Sequence, residues 1–365
     1  MRTAVVILNW NTREYLRAFV PALLESLGAD DSLIVADSAS TDGSLEMLTS
    51  EFPQVKTIPL DANYGFTGGY NRALSGLEAE YYVLINSDVL VSKDWLEPLV
   101  AWMESHPGCG VCGPKLHGLK ADSSADSSTA YIKTGRFEYA GAAGGYLDRW
   151  GFPFCRGRVL GRVCEDSGQY DSPADVLWCT GACMMVRSSV WKALGGLDPR
   201  FFAHMEEIDF CWRAQLAGWK VTVVPQSLVW HLGGGTLAPK SPWKLELNYR
   251  NNLLLLQNNL KRTYMAEGLP AEKASRKAGV KIWMRMVIDG LSFVAYTLSG
   301  KWSYASAVVK AHRGFRSLRG EPGAASPASS SPAVPEGLTG IGIIPAALLW
   351  GGRIFNYLDK KVFNI

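Results

Sequence analysis

Along the first 115 residues, short apolar runs alternate with stretches whose apolar residues recur every three or four positions. Ala4-Val5-Val6-Ile7-Leu8 is wholly apolar and stops on Asn9-Trp10-Asn11, the pattern of a buried strand. From Arg13 the period changes, and Leu16, Phe19, Val20, Leu23, Leu24 and Leu27 fall on one helical face. Leu33-Ile34-Val35-Ala36 repeats the strand pattern and ends on Asp37-Ser38-Ala39-Ser40-Thr41-Asp42-Gly43-Ser44, where Thr41 or Asp42 can cap the next helix. Residues 55–58 predict a third strand, followed by Asn63-Tyr64-Gly65-Phe66 and a helix through Ala73 and Leu77. Tyr81-Tyr82-Val83-Leu84-Ile85 predicts a fourth, running into Asn86-Ser87-Asp88. A helix over about residues 94–104 and a strand around Val111 complete the alternation. Strand and helix alternating at this spacing predict an α/β fold with a doubly wound, mostly parallel sheet.

The polar ends of these strands carry the chemistry. In a parallel sheet, Asn9 and Asn11, Asp37, Asn63, and Asn86 with Asp88 all fall on the carboxyl edge, where open α/β folds bind ligands. An Asn-x-Asp pair there suits a hard divalent cation that shares its remaining positions with phosphates. One such strand end is an ordinary turn or cap; four in succession make a site.

Composition narrows the class. The 365 residues are 47% apolar and 19% charged, enough for a full α/β core and a second, smaller unit. A net charge of +3 is too small to argue for nucleic acid. The apolar run after Met1-Arg2-Thr3 is too short for a signal peptide, so a cytoplasmic location is expected. Seven cysteines, an odd number, then read as reduced thiols. Cys109 and Cys112, with Cys155 and Cys164, have the makings of a zinc set, but Cys109-Gly110-Val111-Cys112-Gly113 reads better as a buried strand of small residues. Residues 118–174 are rich in Ser and Gly with scattered aromatics, the pattern of an insertion. Within it, residues 121–130 are expected to be disordered and residues 144–151 to shape an acceptor groove or to pack as a loop.

The ordered set of motifs resembles the family 2 glycosyltransferases, and within them the rhamnosyltransferase-type members. It comprises Val-Val-Ile-Leu-Asn-Trp-Asn at the start, the Asp37 to Ser44 stretch, Asn63-Tyr64-Gly65-Phe66 with Gly68-Gly69 and Asn71, and Leu84-Ile85-Asn86-Ser87-Asp88. It continues through Gly181-Ala182-Cys183-Met184-Met185-Val186-Arg187, Gly196-Leu197-Asp198-Pro199-Arg200-Phe201-Phe202, Glu206-Glu207-Ile208-Asp209-Phe210-Cys211-Trp212-Arg213 and His231. The resemblance covers roughly residues 3–260 and implies a GT-A type nucleotide-diphospho-sugar transferase fold. It implies that Asp37, helped by Asn9, Trp10 and Asn11, holds the base or ribose of a dTDP- or UDP-sugar. Asn63, Gly68, Asn71, Asn86 and Ser87 would also line the donor site. Asp88 and His231 would hold Mg²⁺ or Mn²⁺ against the diphosphate.

The base that deprotonates the acceptor is sought among Glu206, Glu207 and Asp209. These acids also suit the first turn of a helix for dipole reasons alone, and Asp209 can pair with Arg213 at i, i+4. The resemblance favours the second acid, Glu207, with Glu206 the alternative. One base opposite the departing diphosphate implies inversion at the anomeric carbon. The expected reaction moves a sugar, rhamnose above all, to a lipid-linked or growing surface glycan. The rivals are a sugar-phosphate nucleotidyltransferase, which normally needs a Gly-rich basic loop that Asn9-Trp10-Asn11-Thr12 lacks, and a non-catalytic glycan- or nucleotide-binding subunit.

The remaining third differs in character. Residues 243–261 predict a helix carrying Tyr249-Arg250-Asn251-Asn252, expected beside the acceptor. From 261 to 321 there are 12 Lys or Arg against 4 Asp or Glu, a balance of +8. With its apolar residues this basic amphipathic helical region, 261–320, suits an anionic membrane surface. Peripheral association with the cytoplasmic face of the inner membrane is therefore expected, with packing on the catalytic domain or on a second copy, a homodimer, as alternatives. Residues 321–337, rich in Pro, Ala and Ser, predict a disordered linker. The apolar segment at 338–350, within a last unit of 338–365, is too short to cross a bilayer.

Overall fold

Strand and helix alternate through the first 122 residues as their pattern predicts. In this computed structural model, which describes residues 1–122, 130–233, 241–324 and 332–365, the order begins β1 (Thr3–Asn9), α1 (Arg13–Glu25), β2 (Asp31–Asp37), α2 (Ser44–Glu51), β3 (Lys56–Pro59) and α3 (Gly65–Ser75). It continues with β4 (Tyr81–Ile85), β5 (Val89–Val91), α4 (Leu96–Ser105) and β6 (Cys109–Asp122). The next elements belong to the insertion: β7 (Ala130–Phe137), then β8 (Gly145–Leu147), β9 (Pro153–Cys155), β10 (Arg158–Val159) and β11 (Arg162–Val163). β8 to β11 form a small antiparallel sheet of their own.

The chain then returns to the main sheet through β12 (Ala174–Asp175), β13 (Cys183–Arg187), α5 (Ser188–Ala193), α6 (Glu206–Leu216) and β14 (Lys220–His231). The sheet order is β12-β14-β6-β13-β4-β1-β2-β3, with β5 added beside β14 and β7 beside β6. β3, β2, β1 and β4 are parallel neighbours, as expected. Beyond β4 the sheet is mixed, which alternation alone did not predict. β13 lies antiparallel between β4 and β6, because the chain comes back from the insertion at the opposite edge. Two antiparallel steps restore the direction, so β6 and β14 run the same way as β4. Their carboxyl ends therefore share an edge with Asn9, Asp37 and Asn86.

Both faces of the sheet are covered, so its strands are apolar on both sides. Val5, Ile7, Val83 and Ile85 pack with Leu16, Val20 and Leu23 of α1 and with α4. Val6, Tyr82 and Leu84 pack toward α3, α6 and Leu253 to Leu256 of α7 (Pro242–Ala266). α7 continues past residue 260, joining the sheet-bearing unit to α8 (Ala271–Leu298) and α9 (Trp302–Leu318), which pack on it and on each other.

The last segment lies on the insertion. α10 (Ile343–Trp350) and α11 (Ile354–Leu358) follow a bridge from Leu147 to Leu338. The Asp148 carboxylate accepts from the backbone N–H of Trp150 (2.7 Å), Phe152 (2.8 Å) and Ile343 (2.9 Å). Residues 144–148 are buried there and pack as a loop, with Arg149 exposed and Trp150 half-buried. The linker expected at 321–337 is also held at its far end: Ala333 N–H donates to Leu216 O and Glu336 N–H to Gln215 Oε1. The disorder expected at 121–130 and in the middle of that linker falls largely on residues outside those described.

Candidate active site

At the carboxyl edge, two turns are stitched together. Asn9 Nδ2 donates to Asp37 Oδ2 (2.6 Å) and Ser40 Oγ (3.1 Å), while Asp37 Oδ1 accepts from Ser40 N–H (2.8 Å). The Thr12 hydroxyl donates to Asn9 Oδ1 (2.5 Å) and lies 2.9 Å from Ser87 Oγ. Asn9 and Asp37 are fully buried, whereas Trp10 is exposed beside them. Asn11, at φ 55°, takes the turn through the left-handed region and accepts from Thr41 N–H. A network of side-chain bonds thus runs from Asp37 to Ser87, the residue before Asp88.

Asp88 itself is buried, and its Oδ1 lies 3.2 Å from His231 Nε2 at the end of β14. On the other side of the ring, Glu138 Oε1 lies 3.4 Å from Nδ1 in an off-axis contact without hydrogen-bond geometry. Burial works against a charge on this imidazole, but Asp88 and Glu138 on either side outweigh it and raise its pKa well above the ordinary value. Glu138 went unrecognised in the sequence, where one acid before Tyr139-Ala140-Gly141 has no motif to mark it. The glycines after His231, at 234 and 235, with Thr236, lie outside the described residues.

A third group arrives on α6. Its first turn presents Glu206 and Glu207, each with an Oε2 that is buried and unpartnered. Burial raises the pKa of Glu207 to about 7. Burial, followed by the charge of Glu207, raises that of Glu206 well above the usual range. Glu207 is near the strand ends: a Cβ on Gly181 would stand 3.6 Å from Glu207 Cβ, and the adjacent Ala182 carbonyl accepts from Asn86 N–H at 3.0 Å.

Asp209 does not join them. Its Oδ2 accepts from Arg213 Nε (2.7 Å) and its Oδ1 from the amides of Asn258 and Asn259 (both 2.9 Å), all in the interior. A carboxylate bound on both oxygens and shut away from solvent cannot serve as a base; the i, i+4 partner of the sequence pattern is its real contact. Asn71 is likewise occupied, donating to Leu197 O (2.8 Å) and accepting from Leu197 N–H (2.9 Å). Asn63 accepts from Gly65 N–H in the turn before α3, and Gly68 sits under the Tyr64 side chain. These three expected donor contacts shape α3 and its surroundings.

The segment before Glu206 is strained. Phe202, His204 and Met205 have φ of 64°, 71° and 73°, and Ala203 N–H donates to Phe201 O at 2.8 Å, closing a γ-turn at Phe202. Asn251 of α7, fully buried, holds it: its amide donates to the carbonyls of Phe201 (2.9 Å), Ala203 (2.8 Å) and His204 (2.7 Å). Arg250 adds a bond to Phe201 O (2.8 Å). From the other side Thr67 N–H donates to Phe202 O, and Gly65 leaves the room, since a Cβ there would stand 2.6 Å from the Phe202 ring. His204 points a buried, unpartnered Nε2 inward, and burial together with the charge of Lys244 lowers its pKa to about 4, keeping it neutral.

Two family models match this chain. One described as Glycosyl transferase family group 2 matches residues 81–304, more than half of the chain, and one described as Glycosyl transferase family 2 matches residues 4–154. The chain belongs to the family 2 glycosyl transferases. It is similar to rhamnosyltransferase-type members. The N-acetylglucosaminyl-diphospho-decaprenol L-rhamnosyltransferase of Mycobacterium tuberculosis is 25% identical over 240 residues, covering 62% of this chain and 75% of that one. Rhamnosyltransferase WbbL of Escherichia coli (strain K12) is 26% identical over 233 residues, covering 60% and 80%. Among solved structures, S. aureus TarS 1-349 in complex with UDP-GlcNAc superposes with a TM-score of 0.50 at 16% identity, covering 86% of this chain and 92% of that chain. The fold is of the GT-A type, with a helical carboxyl-terminal region.

Proposed function

We propose that this chain is a metal-dependent, inverting hexosyltransferase. It would move rhamnose from a nucleotide-diphosphate donor, dTDP- or UDP-linked, to a lipid-linked or growing surface glycan. The observation that carries the reading is the meeting of three groups at one sheet edge: the Asn9–Asp37–Thr12–Ser87 network, the Asp88–His231 pair, and the unpartnered Glu206 and Glu207 oxygens. The activity named for the mycobacterial relative supports rhamnose and a polyprenyl-diphosphate acceptor.

Each group has a task in this reaction. Asp37, fully buried and bonded on both oxygens by Asn9 and Ser40, shapes the turn against which the donor's base or ribose is held. Asp88 and His231 Nε2, once the imidazole has given up the proton that Asp88 and Glu138 favour, would supply a carboxylate and a neutral imidazole, a donor pair that fits Mg²⁺ or Mn²⁺ if the diphosphate oxygens complete the set. No group of three or more His, Cys, Asp or Glu gathers into a metal cage among the described residues, so the ion would be held jointly with the substrate. Bound there, it supplies positive charge against the departing diphosphate, which is worth most as the glycosidic bond breaks.

Glu207 takes the proton of the acceptor hydroxyl on its free Oε2. A pKa near 7 suits a base working at neutral pH. Burial raises both carboxyls, and Glu207 is taken as the base because it holds the motif position that the resemblance favours. With one base opposite the departing group, no second nucleophilic carboxylate is needed and the anomeric configuration inverts. The sugar-phosphate nucleotidyltransferase reading has no support in the family matches. Release of nucleotide from dTDP-rhamnose in the presence of acceptor tests the proposal against a non-catalytic binder. Glu207→Gln should abolish that release, by about 10²-fold or more, while donor affinity survives. Unchanged turnover in Glu207→Gln would refute the assignment.

A further inference from the structure

Helix α8 is built inside out. Ala274, Ala278, Ile282, Arg285 and Asp289 form its buried side. The two charged residues on that side pair, Arg285 Nε donating to Asp289 Oδ1 at 2.8 Å, and His312 of α9 lies 3.5 Å from Asp289 Oδ2. Arg285 also bonds Asn252 of α7 and stacks 3.8 Å over the Phe152 ring. The opposite side, half a turn away at about 100° per residue, carries Val280, Trp283, Val287, Leu291, Val294 and Leu298. All six are exposed, Trp283 at 65%, Leu291 at 67% and Leu298 at 84%. An unbroken apolar stripe about 27 Å long, at 1.5 Å per residue, thus faces outward while the ion pair faces in. Water is a poor neighbour for such a stripe.

The charges around it indicate what covers it. Lys273 and Arg276 lie on the same side, one to two turns before Val280, and Lys301 stands just beyond Leu298 next to the exposed Trp302. From residue 273 to 320 the sequence has ten Lys or Arg and one acid, Asp289, which is the buried partner of Arg285. A second copy seated on this face would bring cation against cation at the ends of the stripe. Lipid phosphates would pair with those cations. No helix among the described residues is long and apolar enough to cross a membrane, so contact is along the surface.

We infer that the outward face of α8 docks on an anionic lipid surface, with the stripe in the headgroup region and the flanking cations on phosphates. The face lies one helix away from the base loop, because α7 contacts α8 through Asn252 and the loop through Asn251. An acceptor carried on a lipid would then be presented close to the site. The inference does not depend on the reaction assigned above, since a lipid surface is bound or not bound whatever the chain catalyses.

Sedimentation of the full chain with phosphatidylcholine vesicles, with and without phosphatidylglycerol, tests it, together with light scattering in the absence of lipid. The chain should sediment with the phosphatidylglycerol vesicles, less at high salt, and remain monomeric without lipid. Trp283→Glu with Leu291→Glu should weaken vesicle binding at least tenfold while the unfolding temperature is kept, as both side chains are solvent-facing. Lys273→Glu with Arg276→Glu should reduce the preference for phosphatidylglycerol. Failure to bind either vesicle, equal binding to both, or unchanged binding by both variants overturns the inference. A lipid-free dimer split by the Trp283 and Leu291 substitutions also overturns it and makes a second copy the occupant.

Discussion

At the scale of single residues, the site is a set of carboxylates kept apart in role by their surroundings. Asp209 and Glu207 are two positions apart on one helix, yet one is bound on both oxygens and the other has a free, buried Oε2. The pKa of about 7 at Glu207 has two consequences. Activity should rise with pH through a limb near 7, because the base works only when ionised, and the limb should vanish in Glu207→Gln. Stability should respond in the opposite sense. A carboxyl whose folded pKa is raised favours folding below its unfolded value, and that contribution is lost as pH rises through 7. Glu207→Gln should therefore raise the unfolding temperature by a few degrees at pH 8 and hardly at all at pH 4. A Glu207→Gln variant no more stable at pH 8 would show that this side chain is not held in a desolvated site. Glu138 stands on the far side of the His231 ring, 3.4 Å from Nδ1, where its charge adds to that of Asp88. Glu138→Gln should weaken Mn²⁺ affinity, read by titration calorimetry with nucleoside diphosphate present, by about 10–100-fold. Unchanged affinity would make Glu138 a packing residue.

At the scale of elements, what was legible in the sequence was whatever repeats with a local period. The apolar run and its polar stop located β1, β2 and β4, and with them Asn9, Asp37 and Asp88 on one edge. The i, i+3, i+4 pattern located α1. Long-range pairings left no such trace. The antiparallel entry of β13 between β4 and β6 depends on a return across the sheet, and Glu138 reaches His231 from an insertion with no periodic pattern. The Tyr249-Arg250-Asn251-Asn252 motif was visible, but its work was not: Asn251 bonds the strained loop that carries His204, Met205 and the two Glu residues. Removing that amide leaves the carbonyls of Ala203 and His204 without their donor, each an unsatisfied buried acceptor costing about 1–3 kcal/mol, while Phe201 O keeps Arg250 and the Ala203 N–H. Asn251→Ala should lower kcat at least tenfold with donor affinity unchanged, since the donor groups sit on the strand ends. Asn251→Asp should be worse, as it sets carboxylate oxygens against carbonyl oxygens. A fall in donor affinity equal to the fall in kcat would contradict a role confined to the base loop.

At the scale of the whole molecule, one edge of one sheet gathers residues from positions 9 to 231, and the rest of the chain braces that edge. The insertion supplies Glu138, α7 holds the loop before Glu206 through Asn251, and the last segment closes over the insertion through Asp148. The central claim is that Asp88 and His231 bind the donor's diphosphate through a shared divalent ion. Its most direct test is the affinity of the full chain for dTDP-rhamnose by calorimetry, with Mn²⁺ and with chelator, in the native sequence and in Asp88→Ala. The account predicts tight binding that the chelator weakens at least tenfold, and an Asp88→Ala variant that binds weakly and equally in both conditions. Donor affinity that is indifferent to chelator and to Asp88→Ala alike would contradict it.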